Sequence, residues 1–331
     1  MSSYRAAVCT ELTGPDSIQI QTREARPLAS GEVRIAVKAA GLNFPDLLMT
    51  QGKYQFRPDP PFIPGLEAAG EVLEVASDVQ SVKPGDRVMA GGKGGALAEQ
   101  WIVGDSAVSP LPAALSFAEG ACWQTAASTA WHALVERGHL QPGETILILG
   151  ASGGVGMAAV KMAKHIGATV IGTGSNEEKL EAIHHAGADH LIDSADQNLA
   201  TKVKALTDGK GVNVVYDPVG GDLALTATRA IAWNGRYLIV GFASGTIPAF
   251  PANHIMIKTY SVIGVRAGEG PRRDPELAIR QRAALRDLAD KGIMRPHISH
   301  RFSLTDAAQS LGVLERREAI GRVVVEMTTS S

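Results

Sequence analysis

A run of small residues at positions 150–156 has the residue types and spacing that could hold a phosphate group. It reads Gly-Ala-Ser-Gly-Gly-Val-Gly and fits the dinucleotide fingerprint G-x-G-x-x-G with alanine in the first position. Residues without bulk let the backbone approach a pyrophosphate, whose charge is held by N–H groups and by the positive end of the following helix. The same glycine pattern also occurs where a strand simply packs on a helix. We expect the dinucleotide to be bound by Ala151, Ser152, Gly153, Gly154, Val155 and Gly156.

The elements on either side of this run are those that the fingerprint requires. Thr145 to Leu149 is an apolar, partly β-branched stretch that predicts a buried parallel strand. After the run, apolar residues recur at helical spacing as far as Ile166. Strands and helices then alternate, which predicts a doubly wound parallel sheet. The predicted strands lie at 169–172, 190–193, 212–217, 236–241 and 260–266, and the predicted helices at 177–186, 199–206, 223–232 and 274–291.

The chain before the fingerprint has short β-like runs broken by glycine and proline, which is typical of a compact all-β or barrel-like domain. A helix is predicted from Ser116 to Arg137, where Ser116 and Glu119 have the spacing of a capping box. A β-like run at 322–326 indicates that the C-terminal segment rejoins the first domain. Strands are predicted at 18–22, 33–39, 69–75, 87–90 and 99–103. We expect a β-rich domain over 1–125, completed by 268–331, and a dinucleotide-binding domain over 126–267.

Composition narrows the class of protein. Of 331 residues, 45% are hydrophobic and 20% are charged, as in an ordinary soluble globular protein. The 32 basic and 34 acidic residues leave a net charge of −2, so no electrostatic argument supports binding to nucleic acid or to an anionic membrane. Two cysteines favour a reducing compartment over a disulfide framework. With no signal-peptide pattern and no apolar run of about 20 residues, the sequence predicts a cytoplasmic protein.

The second strand of the predicted sheet bears on which dinucleotide is bound. An NAD site usually places Asp or Glu at the tip of this strand to accept the ribose 2′-hydroxyl, and no carboxylate stands there. Gly174 leaves room for a phosphate, Ser175 could donate to it, and Lys179 could add a charge-assisted bond worth roughly 1.5–3 kcal/mol. Alternatively, Ser175 starts a capping box with Glu178, and Lys179 is a solvated helix residue. We predict NADPH as the cofactor.

Motifs along nearly the whole chain, in order, resemble one family. They are Ala-Gly-Leu-Asn-Phe-Pro-Asp at 40–46, Gln-Gly-Lys-Tyr at 51–54, Phe-Ile-Pro-Gly-Leu-Glu-Ala-Ala-Gly at 62–70, Lys-Pro-Gly-Asp-Arg-Val at 83–88, the fingerprint at 150–156, Val-Tyr-Asp-Pro-Val-Gly-Gly at 215–221 and Gly-Phe-Ala-Ser-Gly at 241–245. The chain resembles the zinc-independent quinone oxidoreductases of the medium-chain dehydrogenase/reductase superfamily. The resemblance implies a GroES-like β domain, an inserted Rossmann domain that binds NADPH, an active site in the cleft, and a homodimer. The stretch from Tyr260 to Arg266 is the candidate edge strand for that dimer.

The resemblance also implies roles for individual residues. Asn43 and Tyr54 face the nicotinamide cleft, where their amide and phenol could contact the substrate oxygen. Thr129 matches a position near the cofactor phosphates or the nicotinamide ribose. Phe242 and Ser244 follow the fifth strand, at the end of the sheet where ligands gather. The plainer readings stay open: a turn-stabilising amide for Asn43, a packing ring for Tyr54, a helix hydroxyl for Thr129 and a core ring for Phe242.

Two positions of the resemblance bear on how the cofactor is held. Arg317 aligns loosely with a family arginine that reaches the adenine end. Ser194 stands where several relatives carry a tyrosine near the 2′-phosphate, so one stacking partner of the cofactor is missing.

The resemblance also explains why no metal site is expected. Zinc alcohol dehydrogenases of the superfamily place a cysteine ligand where this chain has Asn43 and a histidine where it has Leu66. The third ligand position falls near Ala121, beside Cys122. Two cysteines cannot build a four-cysteine structural site either.

Without a Lewis acid in the site, the acceptor must itself be electronically activated for hydride addition. The first hypothesis is an NADPH-dependent quinone reductase, since a quinone stabilises the arriving charge by its own conjugation. The second keeps the site but changes the acceptor to an α,β-unsaturated carbonyl or thioester. The third is a protein that binds NADPH without catalysis.

Overall fold

Strands and helices occupy most of the computed structural model, which describes residues 3–327. In chain order the strands are β1 (Ser3–Cys9), β2 (Ile18–Glu24), β3 (Glu32–Leu42), β4 (Glu67–Val75), β5 (Arg87–Gly91), β6 (Gln100–Gly104), β7 (Val108–Pro110), β8 (Thr145–Ile148), β9 (Thr169–Gly174), β10 (His190–Asp193), β11 (Val212–Asp217), β12 (Ile231–Ile239), β13 (Ser261–Gly264), β14 (Ile298–Ser303) and β15 (Arg322–Glu326). The helices are α1 (Phe44–Thr50), α2 (Phe117–Trp131), α3 (Gly154–Ile166), α4 (Glu177–His185), α5 (Leu199–Ala205), α6 (Gly221–Thr228), α7 (Ala252–Lys258), α8 (Gly270–Arg273), α9 (Pro275–Asp290) and α10 (Ala307–Glu315). A π-helical turn, His132–Arg137, continues α2.

The unit from Ala126 to Met294 is built around a six-stranded sheet in which every pair is parallel. Its strand order, β10-β9-β8-β11-β12-β13, is the doubly wound order of dinucleotide-binding folds, with the switch point between β8 and β11. The strands are apolar because both faces are covered; Leu147, Ile171 and Val215, for example, are fully buried. The predicted parallel α/β sheet is confirmed.

The other unit combines the chain up to Thr125 with the chain from Arg295 onward. Its main sheet has the order β14-β15-β3-β4-β5-β7, with β6 also paired to β3, while β1 and β2 form a separate hairpin. Most pairs are antiparallel, and β15 lies between β14 and β3 as an interior strand. The predicted GroES-like, β-rich architecture is confirmed, and β15 spans the residues at which a C-terminal strand was predicted.

One predicted helix ends too late. The pattern predicts a helix over 223–232, but α6 ends at Thr228 and β12 begins at Ile231. The Lys258 ammonium donates to the carbonyls of Arg229 and Ile231 at 2.9 and 2.8 Å, and Ile231 is already paired with Val212 of β11. The helix prediction was therefore wrong over these four positions, because tertiary hydrogen bonds outweigh a local apolar pattern.

Two further boundaries differ from the sequence-based expectation. The edge strand β13, Ser261–Gly264, is shorter than the predicted 260–266, and the Tyr260 side chain just before it is buried in the core. Residues 268–294, expected in the first domain, fold with the dinucleotide-binding unit. Helix α9 within this stretch begins as predicted: Asp274 accepts the N–H groups of Glu276 and Leu277, both at 3.0 Å.

No helix in the described part of the chain has both the length and the apolar character that crossing a bilayer requires.

Candidate active site

The fingerprint turn is held from the side by β9. The backbone N–H groups of Gly150 and Ala151 donate to the hydroxyl and the carbonyl of Thr173, at 3.1 and 3.0 Å. Gly156 lies so close to the turn that a Cβ on it would overlap the carbonyl oxygen of Gly150. A larger residue there would push α3 away from β8. Helix–strand contact therefore requires the third fingerprint glycine, and Thr173 fixes the shape of the turn.

The N-terminal end of α3 suits an anion. Gly153 is the N-cap, and among the described residues no side chain caps this 13-residue helix. Its first turn also carries no acidic side chain. Backbone N–H groups without a side-chain cap, at the positive end of the helix, are the groups that bind pyrophosphate in this fold. The residues from Ala151 to Gly156 thus lie together in one turn that is able to hold phosphate.

The tip of β9 brings together the residues predicted to select NADPH. Gly174 is buried, and a Cβ on it would lie 3.0 Å from the Ile183 side chain. The Lys179 ammonium donates to the exposed Ser175 hydroxyl at 3.2 Å. Asn176, and not Ser175, caps α4 by accepting the backbone N–H of Lys179 at 2.9 Å. The alternative in which Ser175 starts a capping box with Glu178 is therefore wrong.

Two loops at the carboxyl ends of β11 and β12 border the same end of the sheet. Phe242, in the loop after β12, is 37% exposed, so its reading as a core ring is wrong. The backbone N–H of Ser244 donates to the carbonyl of Val219 at 2.9 Å, and that of Ala243 donates to Pro218 at 3.0 Å. These bonds join the two loops into one wall beside the switch point.

A buried polar cluster lies in the other unit around Asn43. The Asn43 amide donates to Glu67 Oε1 at 2.9 Å and to the Gly41 carbonyl at 3.5 Å, and its oxygen accepts from Arg322 Nη1 at 2.7 Å. Arg322 Nη2 forms an ion pair with the same Glu67 oxygen. The second Glu67 oxygen accepts the backbone N–H of Thr125 at 2.9 Å. Strands β3, β4 and β15 thus each contribute to one network that leaves the Asn43 side chain without an unused amide hydrogen.

The side chains of this cluster are almost completely shielded from solvent. Asn43 is 4% exposed, Glu67 1% and Arg322 5%. Burial opposes the charge of Arg322, but the Glu67 carboxylate beside it holds the pKa of the guanidinium above its ordinary value. Burial also raises the pKa of the neighbouring Cys122 thiol to about 11. The cluster therefore holds a guanidinium and a carboxylate as a charged pair, with a thiol that stays protonated at neutral pH.

Asp46, in the first turn of α1, accepts backbone hydrogen bonds beside the cluster. Its carboxylate accepts the backbone N–H of Asn43 at 2.8 Å and that of Gly65 at 3.0 Å. Asn43 is accordingly the N-cap residue of α1, so its reading as a turn-stabilising residue agrees with this geometry. Asp46 is fully buried, and burial raises its pKa to about 7.

The remaining predicted residues lie outside the fingerprint turn and the Asn43 network. Tyr54 is half-buried on the loop after α1, and Thr129 is half-buried in α2. Arg317 follows α10, in the unit that holds Asn43. The backbone N–H of Ser194 donates to the Gly174 carbonyl at 2.9 Å. The position where relatives carry a tyrosine therefore borders the tip of β9.

Sequence reasoning missed several residues that shape these sites. Glu67 and Asp217 stand inside motifs that were quoted for the family resemblance, so the signal was present but unused. Thr173 and Arg322 carry no local signal, because their partners are distant in sequence: Arg322 bonds Glu67 across 255 positions. Among the described residues, no group of His, Cys, Asp or Glu has the arrangement to hold a metal ion.

Comparison with known proteins places these sites in context. Residues 29–127 match the model of the alcohol dehydrogenase GroES-like domain, and residues 154–282 match that of the zinc-binding dehydrogenase family. A quinone oxidoreductase-like protein 2 homolog of Nematostella vectensis is 39% identical over 98% of this chain and 89% of its own length. A Pseudomonas syringae quinone oxidoreductase has the same fold with a TM-score of 0.89 and 30% identity, over 98% of this chain and 99% of its own. A mycobacterial protein whose structure contains NADPH also gives a TM-score of 0.89, with 28% identity over 98% and 99% of the two chains.

Proposed function

Because the chain belongs to the quinone oxidoreductase-like family of the medium-chain dehydrogenase/reductase superfamily, we propose that it reduces quinones with hydride from NADPH and without a metal ion. The cofactor supplies the hydride, and the protein supplies binding, orientation and a few hydrogen bonds. A quinone suits such a site because its conjugation stabilises the charge that hydride transfer leaves behind.

The dinucleotide-binding part of the proposal rests on the turn at 151–156. A Cβ at Gly156 would fill the contact between α3 and the turn, and the start of α3, which has no side-chain cap, suits the binding of a pyrophosphate. In this proposal Phe242 and Ser244 line the nicotinamide side of the site, and Thr129 lies near the ribose or the phosphates. The residues present therefore fit a nicotinamide dinucleotide.

The choice of NADPH rests on the tip of β9. Gly174 is packed against Ile183, and the Lys179 ammonium lies 3.2 Å from the exposed Ser175 hydroxyl just beyond it. A 2′-phosphate that approached this pair would accept a bond from an ammonium and one from a hydroxyl. The NADPH found in the mycobacterial neighbour agrees with this choice.

The single observation that carries the metal-free chemistry is the Arg322 guanidinium. Family resemblance puts a zinc ligand of the related alcohol dehydrogenases at Asn43, and here the Asn43 oxygen accepts from Arg322 at 2.7 Å. The Glu67 oxygen beside it is ion-paired with the same Arg322, so the two oxygens that could bind a metal ion at this point already accept hydrogen bonds from the guanidinium. In this proposal the cluster supplies no Lewis acid to polarise an ordinary alcohol or ketone.

Asn43 and Tyr54 take different roles in this proposal. The Asn43 amide hydrogens are used by Glu67 and Gly41, so Asn43 acts by fixing the start of α1 and the cluster around it. The Tyr54 phenol lies outside that network, on the loop after α1, and is the proposed donor to the acceptor oxygen.

We also propose that the protein is a homodimer that pairs through the edge of its parallel sheet. Strand β13 has a sheet neighbour on one side only, among the described residues. Met256 and Ile257 of α7, just before it, are 72% and 61% exposed. An unpaired strand edge next to exposed apolar side chains is a suitable surface for a second copy. Light scattering coupled to size exclusion tests this, and a monomer at all concentrations would refute it.

A panel of acceptors tests the proposed activity. Initial rates are measured with NADPH and with NADH on 1,4-benzoquinone, 9,10-phenanthrenequinone and a series of 2-alkenals, with and without a chelator. We expect turnover of the quinones, a preference for NADPH and no effect of the chelator. Turnover of the alkenals alone would select the C=C reductase. Binding of NADPH without any turnover would select a non-catalytic protein, and loss of activity on chelation would refute the metal-free mechanism.

A further inference from the structure

A buried carboxylate–phenol pair lies at the carboxyl end of β11. Asp217 is 1% exposed, and its Oδ1 accepts the backbone N–H groups of Val219 and Gly220 at 2.7 and 2.8 Å. Its Oδ2 accepts the Tyr237 hydroxyl at 2.8 Å. Tyr237, on β12, is fully buried, and its ring packs edge-on against Phe250 with centroids 5.0 Å apart. The carboxylate thus joins two neighbouring strands and the loop that follows the first.

This loop lies directly against the fingerprint turn. A Cβ on Gly150 would come within 2.7 Å of the Val219 side chain. The backbone N–H of Leu149 also donates to the carbonyl of Tyr216 at 3.0 Å, so β8 and β11 run together up to this point. Val219 thus bonds Asp217 through its backbone and places its side chain beside Gly150 of the fingerprint turn.

The conformation of this loop depends on stabilising contacts. Gly220 and Gly221 have φ angles of 71° and 63°, a left-handed conformation that glycine adopts at little steric cost. Without the carboxylate, the N–H groups of Val219 and Gly220 would lose their acceptor, and the bonds from the loop after β12 would be left to hold these two flexible residues. Burying Asp217 is itself unfavourable, since burial raises its pKa against the opposing effect of its three donors. An apolar pair of similar size would fill the same space without that cost.

We propose that Asp217 and Tyr237 are the positioning pair of the dinucleotide site, which hold Val219 against Gly150 and thereby set the affinity for the dinucleotide. The inference rests on the proposed NADPH site and adds residues that act on it without touching the ligand. Hydrogen bonds that orient binding groups without touching the ligand are a known source of affinity, and for metal sites their loss costs about 10- to 100-fold in binding.

The test compares NADPH affinity with thermal stability in matched variants. Asp217→Ala removes all three acceptor contacts, and Tyr237→Phe removes only the phenol. The control is Arg236→Gln on the same strand, next to Tyr237, because Arg236 pairs with Glu144 at 2.7 Å away from the carboxyl ends of the strands. Kd for NADPH is measured by quenching of tryptophan fluorescence, and Tm by calorimetry on the full chain.

We expect Asp217→Ala to raise Kd about tenfold or more, which corresponds to about 1.4 kcal/mol of lost binding, and Tyr237→Phe to raise it by a smaller factor. Arg236→Gln is expected to lower Tm while leaving Kd unchanged. Asp217→Asn is the conservative rescue: its oxygen keeps both backbone donors, and its amide donates to a Tyr237 hydroxyl that can turn towards the Ala224 carbonyl 3.3 Å away. This variant should bind NADPH nearly as well as the natural protein.

The outcomes separate this inference from the proposed function. If the natural protein does not bind NADPH, the proposed function fails first. If it binds NADPH and the Asp217 and Tyr237 variants change Kd no more than Arg236→Gln does, the positioning role is refuted. Should Asp217→Ala fail to fold, the comparison of Tyr237→Phe with Arg236→Gln decides the question alone.

Discussion

Removing the Arg322 guanidinium should destabilise the protein more than removing any surface charge. The change Arg322→Met leaves the Glu67 carboxylate, 1% exposed, without its counter-ion, while the Asn43 amide and the Thr125 N–H still donate to it. It also leaves the Asn43 oxygen without its donor. Breaking a buried ion pair by removing one partner typically costs about 3–5 kcal/mol. A Coulomb energy of about 4 kcal/mol for two charges 4 Å apart at an effective dielectric constant of 20 agrees with that range.

The assay is thermal unfolding followed by calorimetry. At about 2–4 °C per kcal/mol for a unit of this size, Arg322→Met should lower Tm by about 6–20 °C. The double variant Glu67→Gln with Arg322→Met removes both charges, and we expect it to recover at least half of the loss because no unpaired charge remains. Arg316→Met serves as the control, since its pair with Glu318 is exposed and its loss should leave Tm unchanged.

Two results would refute this reasoning. If Arg322→Met lowers Tm no more than Arg316→Met does, the Arg322–Glu67 ion pair is not shielded from solvent. A double variant as unstable as the single one would mean that lost packing, and not the unpaired Glu67 carboxylate, accounts for the effect.

Three further predictions use other parts of the molecule. Lys179→Ala should weaken NADPH binding by one to two orders of magnitude, from a lost charged bond of roughly 1.5–3 kcal/mol, and leave NADH binding unchanged; equal effects in titrations with both would refute the 2′-phosphate site. The pKa of Asp46 is raised from 3.8 to about 7, so the folded state holds the proton more tightly than the unfolded state does. Stability should therefore fall as pH rises from about 4 to about 7. Asp46→Asn should flatten this dependence of Tm on pH, and an unchanged dependence would contradict the raised pKa of Asp46. Cys9 and Cys122 are both fully buried with raised thiol pKa values, so neither should react with a disulfide reagent at pH 8 until the protein is denatured. Rapid reaction of Cys122 in the native protein would show that the Asn43 cluster is open to solvent.

Local patterns in the sequence were enough to predict the parallel sheet and the tight glycine turn between β8 and α3. The fingerprint, the helix that follows it and the Asp274 cap each depend on residues within one turn or one strand, where side-chain spacing determines the structure. The α6 boundary failed for the opposite reason. Its end is set by Lys258, some 30 positions later, which bonds carbonyls that the apolar pattern assigns to the helix.

The candidate site was predictable only in part for the same physical reason. Gly174, Ser175 and Lys179 lie in one short segment, and the structure brings them together at the tip of β9. Asn43 was selected for contact with substrate, but its amide is held by Glu67 and Arg322, which come from two other strands. No spacing rule connects residues that meet only after a sheet has formed, so the sequence carried no signal for the pairing of Glu67 with Arg322, although Glu67 itself stands in a quoted motif.

The interior place of β15 has a consequence for biosynthesis. Asn43 and Glu67 leave the ribosome long before Arg322, which follows the entire dinucleotide-binding unit in the chain. Until that last strand inserts between β14 and β3, the nascent β-rich unit lacks an interior strand and the counter-ion for a carboxylate. The segment translated in the middle is thus able to complete its fold first, and the unit that begins the chain has to wait for translation to reach β15.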